Sequence, residues 1–190
     1  MKVGLRGGMK ALATVALLVL LVALAAAGYL WSGSLNVSAV NAPPSAIEWA
    51  LHGVMQRSVR AHASHIEAPT NLADRAAQGV SDFDEMCVQC HGAPGKERGE
   101  IGQGLNPSPP SLVDAAPVWS SSELFWIVKN GIRMTGMPAF GTTHDDDRIW
   151  AIVSFVQRLP TMTPDQYGQR TSQPPEPSHS HEHHDHEHAH

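Results

Sequence analysis

The sequence predicts an all-α protein. Three observations carry that reading. Apolar residues beyond position 45 recur at spacings of three and four, which is the helical period. No run of useful length alternates apolar and polar residues as a strand would. An uncharged apolar stretch long enough for a bilayer-crossing helix opens the chain. The organisation expected is a membrane anchor or signal segment over residues 1–31, then a linker and amphipathic helix over 32–70. A compact domain over 71–162 and a disordered His-rich tail over 163–190 follow.

Lys2, Arg6 and Lys10 precede the uncharged run Ala11–Leu30. As a helix, that run spans about 30 Å, the thickness of a bilayer core. A cleaved signal peptide has an apolar stretch of only about 7–15 residues. Tyr29 and Trp31 sit where interfacial aromatics belong. We read an uncleaved anchor, with the small residues Ala23, Ala25 and Ala27 offering a cleavage site as the alternative. In both cases the basic flank stays in the cytoplasm and the rest is exported. The chain is at −5 overall, so the exported part, without those three cations, is at −8. That balance argues against nucleic acid or an anionic membrane surface as partner.

Residues 32–42 are small and polar, a tether. Pro43-Pro44 stops any helix from running through, and Ser45-Ala46-Ile47-Glu48 reads as a capping box. Ile47, Leu51, Val54, Met55 and Val59 then form one face of a helix reaching about His65, to be packed on the following domain or on a partner. His52 and His62 read as exposed or satisfied histidines.

Pro69 and Asn71 open the next element. Ala73, Ala76, Ala77, Val80 and Phe83 run helically into Cys87-Val88-Gln89-Cys90-His91. C-x-x-C-H is the attachment signature of a c-type haem. Two thiols at this spacing add to the two vinyl groups of one porphyrin, and the His that follows lies under the iron as its proximal ligand. These are the chain's 2 cysteines, so two thioethers would leave no thiol over. A zinc site would need two more ligands, with His144 or the tail conscripted, and a redox dithiol would need a βαβ context. Neither pattern is visible. Covalent haem c also fits export, since attachment occurs outside the cytoplasmic membrane.

Residues 92–118 are rich in Gly and Pro and read as a loop that wraps something. Ser121 or Ser122 caps a helix bearing Leu124, Phe125, Ile127 and Val128, ending at Asn130-Gly131. Asp145 begins a last helix with Ile149, Ile152, Val153 and Val156 on one face, closed by Leu159-Pro160. Its acidic start suits the helix dipole, and the Asp run lacks the spacing of a calcium loop. In the tail, 7 of the 12 histidines fall within His179–His190. That tract is expected to hold Zn, Cu or Ni loosely through neutral imidazoles, aided by Glu182, Asp185 and Glu187.

The stretch from about Gly79 to Leu159 resembles the class I monohaem cytochromes c, close to the bacterial c5/c6/c551-like group. The matching features are Gly79 and Phe83, the Cys87–His91 motif and the Gly/Pro loop. Gly136-Met137-Pro138-Ala139-Phe140 and a last helix with Trp150 and Phe155 complete them. Ser45–Asn71 looks like the extra helix of a membrane-anchored subgroup. The resemblance implies a cytochrome c fold around one covalent haem c, with Cys87 and Cys90 as attachment points. His91 is then the proximal ligand and Met137 the distal one, with Met134 as rival and Met86 as core. A thioether ligand favours ferrous iron and raises the potential. The resemblance also sets Gly79 and Phe83 beside Trp150 or Phe155. It gives the proximal His a proline carbonyl, with Pro107 as candidate. Trp119 or Trp126 lines the haem edge or packs in the core.

The function expected is a periplasm-facing, membrane-tethered carrier of single electrons between redox proteins, not itself an enzyme. The alternatives are a haem subunit of a larger dehydrogenase or oxidase, or a peroxidase or ligand sensor. The last two need an open iron position, which a bound Met137 closes.

Overall fold

The computed structural model describes residues 3–41 and 45–172. Pro43-Pro44 and the His-rich tract lie outside the described residues. The chain divides into two units, 1–41 and 42–190. Among the described residues the structure is helical, with no strand.

The first unit is one helix, α1, Val3–Trp31. Its stretch Gly8–Trp31 contains an 18-residue window with a mean hydropathy of 2.6, none of it buried within the protein. It is long and apolar enough to cross a membrane, and it fits an anchor and a signal segment alike. The helix is closed by Ser32, whose hydroxyl donates to the Tyr29 carbonyl at 2.7 Å.

The second unit begins with α2, Ser45–Ala63. Only its C-terminal half reaches the core, through Val59 and Ala63. Ile47, Leu51 and Val54, expected on the packed face, stay exposed. The physical reason is that α4 (Ser121–Asn130), against which α2 packs, meets only the later turns. Arg60 reaches Glu123 at 3.7 Å, and His62 lies against Trp126 with ring centroids 5.5 Å apart.

After a 3₁₀ turn at Leu72–Arg75, α3 runs through Val80–Asp82, a π-helical stretch Phe83–Cys87 and a final α-turn Val88–His91. The chain then reverses at Gly92. The region expected as plain loop contains two single helical turns, Glu100–Gln103 and Leu112–Ala115, and a 3₁₀ turn at Ala116–Val118.

The N-cap of α4 is Ser120, one residue before the candidates read from sequence. Its hydroxyl accepts from the Glu123 amide at 3.2 Å, and the Glu123 carboxylate accepts from the Ser120 amide at 2.7 Å. This reciprocal pair needs Glu at the third helical position, which only Ser120 satisfies. Ser122 instead donates to the Ile66 carbonyl at 2.7 Å, tying the α2 exit to α4. The next helix, α5, spans Asp146–Val156 with Asp145 as its expected cap, accepting from the Arg148 amide at 2.8 Å. Every residue from Ile149 to Val156 is buried, so α5 is the central helix of the unit.

Two contacts hold α3 on α5. A Cβ placed on Gly79 would overlap the Ala151 carbonyl group, so only glycine lets the chain pass there. One turn on, the Phe83 ring meets Phe155 edge-on, with centroids 5.2 Å apart. On the other side, Phe125 of α4 stacks on Trp150 at 4.1 Å.

A further helix, α6, Pro164–Thr171, lies in the stretch assigned from sequence to the tail. Thr163 and Gln166 cap it reciprocally, at 3.3 and 2.9 Å. Its one apolar anchor is the buried Tyr167, too sparse a signal for a periodicity reading.

Candidate functional site

Cys87, Cys90 and His91 share one helical segment at the end of α3. The π-helical stretch ends at Cys87, and π-turns of this kind recur at functional sites. Gly92 closes the helix at φ +69, in the left-handed region where glycine is favoured. Its amide donates to the Val88 carbonyl at 2.9 Å. Ala93 and Lys96 then exchange two backbone hydrogen bonds of 2.9 Å, so the turn after His91 is rigidly closed.

His91 is half-buried, and its Nδ1 lies 2.8 Å from the Pro110 carbonyl oxygen. A carbonyl only accepts, so Nδ1 carries the proton and Nε2 keeps its lone pair. Burial pushes the His91 pKa down, with the Pro110 carbonyl opposing and the Arg98 cation adding to the shift. Burial therefore favours the neutral imidazole and the Pro110 carbonyl orients it, as a metal requires of its ligand. The acceptor is Pro110 and not Pro107, the candidate read from sequence. The run Pro107-Ser108-Pro109-Pro110 offers three prolines, and only the folded loop selects the register. Arg98 helps to fix it: its guanidinium donates to the Pro109 carbonyl at 2.9 Å and to the Ser108 hydroxyl.

Both cysteines are free and half-buried. Burial, with Asp82 and Cys90 contributing, pushes the Cys87 thiol up to about 12. A redox dithiol has the opposite character, a depressed thiol pKa. Among the described residues no three His, Cys, Asp or Glu side chains converge as ligands of a free metal ion.

Met137 and Met134 differ sharply. Met137 is half-buried against the core. Met134 is 89% exposed and sits at φ +64. The loop that presents Met137 is pinned by Thr135, whose hydroxyl donates to the Ile132 carbonyl at 2.7 Å and accepts from the Met137 amide at 3.1 Å. The Ile132 amide closes the loop on the Met137 carbonyl at 3.3 Å. Gly136 leaves room for the Leu105 side chain from the Gly/Pro loop. Trp119 and Trp126 both turn toward α2, under Arg60 at 5.9 Å and beside His62 respectively.

A cavity of about 410 Å³ opens beside His91, but Lys96, Glu97, Arg98 and Gln103 make much of its wall, and Met137 is not part of it. Leu112 and Val113 give that cavity an apolar side, and with Met137 and Phe140, which lie outside it, they pack on the core yet remain only half-buried. Two thiols at the attachment spacing, an oriented neutral imidazole and an apolar wall are the donor set and surroundings that a covalent haem needs. The residues present fit that group.

Three polar contacts around the segment carried no sequence signal. Asp82, buried at the start of α3, receives two hydrogen bonds from Arg148, at 2.7 and 2.6 Å. Asp84 receives the Tyr167 hydroxyl at 2.6 Å and the Lys96 ammonium at 2.8 Å. Arg98 on the proline loop is the third. Such long-range polar partners have no local period to betray them.

No curated protein matches the chain. Residues 74–156 match the model of a family described as cytochrome C oxidase, cbb3-type, subunit III. The matched segment runs from the start of α3's approach to the last residue of α5, and it supports a c-type cytochrome with covalently bound haem c and haem-based electron transfer.

Proposed function

We propose that this chain is a membrane-tethered c-type cytochrome that carries single electrons, with its haem domain on the periplasmic side. Cys87 and Cys90 would hold the haem through thioether bonds, and His91, through Nε2, and Met137 would be the ligands of its iron. When bound, haem supplies a one-electron ferric/ferrous couple. The protein's own residues orient and shield. Pro110 holds the His91 proton on Nδ1 and fixes the ring plane. Thr135 pins the loop that offers the Met137 thioether. Leu112, Val113 and Phe140 exclude water. Held in place by these contacts, His91 and Met137 would change position little between the oxidation states, which would keep the reorganisation on transfer small.

The observation that carries this reading is the His91–Pro110 hydrogen bond directly after the paired cysteines. The family description favours a membrane oxidase complex as redox partner. The His-rich tract from His179 is proposed as an accessory site for Zn, Cu or Ni. The function is tested by expressing the chain with haem-attachment machinery and denaturing it. The wild type is expected to retain haem through denaturing electrophoresis, and a Cys87→Ala/Cys90→Ala double variant to lose it. Loss from the wild type as well would overturn the proposal.

A further inference from the structure

We propose that the first turns of α2 lie on the bilayer surface, inserting Ile47, Leu51 and Val54 among the lipid headgroups. The inference rests on reading α1 as a retained anchor.

These three residues follow i, i+4, i+7 spacing and form one stripe. They are 51%, 62% and 62% exposed, while the later turns of the same helix pack on α4 and bury Val59 and Ala63. The stripe is therefore left over by the fold. Its place in the chain says what covers it. Trp31 ends the membrane-length helix and Ser45 begins α2. The linker between them reaches at most about 45 Å at roughly 3.4 Å per residue, so the start of α2 stays within that distance of the bilayer and can reach its surface.

Composition points the same way. From Ala11 to Ile47 the chain carries no Asp, Glu, Lys or Arg. The charge-free character of the span thus continues through the tether into α2, and Leu35, Val37 and Val40 are exposed along it. An interfacial segment tolerates this, whereas a tether meant to stand in water gains nothing from it. A specific protein interface buries about 800 Å² per side, more than Ile47, Leu51 and Val54 provide, and Trp49, 79% exposed on the same turns, is an aromatic of the kind that sits at headgroup level. Shallow insertion of a few apolar residues suffices when an anchor already holds the chain at the surface. The apolar contact requires no anionic lipid.

The test uses the full-length holoprotein as a Leu51→Met variant, one chain per phosphatidylcholine disc. Hydroxyl radicals are generated in bulk water, and oxidation is read by mass spectrometry. Met134, 89% exposed, is the internal reference. The sulfur introduced at position 51 is expected to oxidise about fivefold more slowly than Met134, and adding Ile47→Glu is expected to restore its rate. Disc-bound protein in which both sites oxidise alike overturns the proposal. So does protection that survives Ile47→Glu. A chain recovered outside discs and lacking residues 1–31 overturns the anchor reading itself, and intact mass distinguishes that failure from the other two.

Discussion

Gly79 lies against the backbone of Ala151 so closely that a methyl group has no room. This contact sets the spacing of α3 on α5, and so the position of the segment that bears Cys87, Cys90 and His91. A Gly79→Ala variant must push the helices apart or break the packing of Phe83 on Phe155. The expected cost is about 2–3 kcal/mol, or a fall in Tm of roughly 10–20 °C for a domain of this size. Thermal unfolding of the holoprotein checks it. An unchanged Tm would mean that the close approach does not exist in solution.

The Asp82–Arg148 pair fastens the start of α5 to α3. Asp82 is buried and its bonds to Arg148 are bidentate, but the Arg148 side chain is half exposed, which weakens the pair. Arg148→Ala leaves the carboxylate without its donor and is expected to cost about 1–3 kcal/mol. In a double-mutant cycle, Asp82→Ala is expected to add little once Arg148 is gone. Denaturant titrations of the four proteins measure both quantities.

Asp84 makes stability depend on pH. Burial raises its pKa, but the hydrogen bonds from Lys96 and Tyr167 outweigh burial and hold it below its usual 3.8. A depressed folded-state value means the stabilisation is complete above the unfolded pKa and is lost as pH falls through the folded one. Asp84→Asn is therefore expected to cost about 1–2 kcal/mol at pH 7, with the gap from wild type closing below about pH 3.8. A gap that stays constant down to pH 2 would contradict the assignment. The same network explains why α6 belongs to the packed unit, because Tyr167 reaches Asp84 from 83 positions away.

Much of the fold was legible because its signals are local. The helical periods of α2, α4 and α5, the Asp145 cap and the Gly131 stop need only neighbouring residues. Gly79 and Phe83 were read correctly as packing residues of the last helix, by resemblance. The failures share a physical cause. Ser120 was displaced by a neighbouring serine because three serines in a row look alike until Glu123 chooses one. Pro110 was hidden among similar prolines. Helix α6 has a single apolar anchor. Ile47, Leu51 and Val54 repeat at the right spacing, but periodicity cannot say whether protein or something else covers a face. Of the candidate site, the motif residues and Met137 are proposals that the sequence itself supplies. The partners that orient them, Pro110, Arg98 and Thr135, were not legible in it.

The measurement that bears most directly on the central reading is the near-infrared spectrum of the ferric holoprotein, for wild type, Met137→Ala and Met134→Ala. A weak sulfur-to-iron charge-transfer band is expected in wild type and in Met134→Ala, and is expected to vanish in Met137→Ala. That result fits a His91/Met137-ligated carrier. Absence of the band from the wild type, with high-spin iron that readily takes added ligands, would contradict it and favour a ligand-binding or peroxidase role.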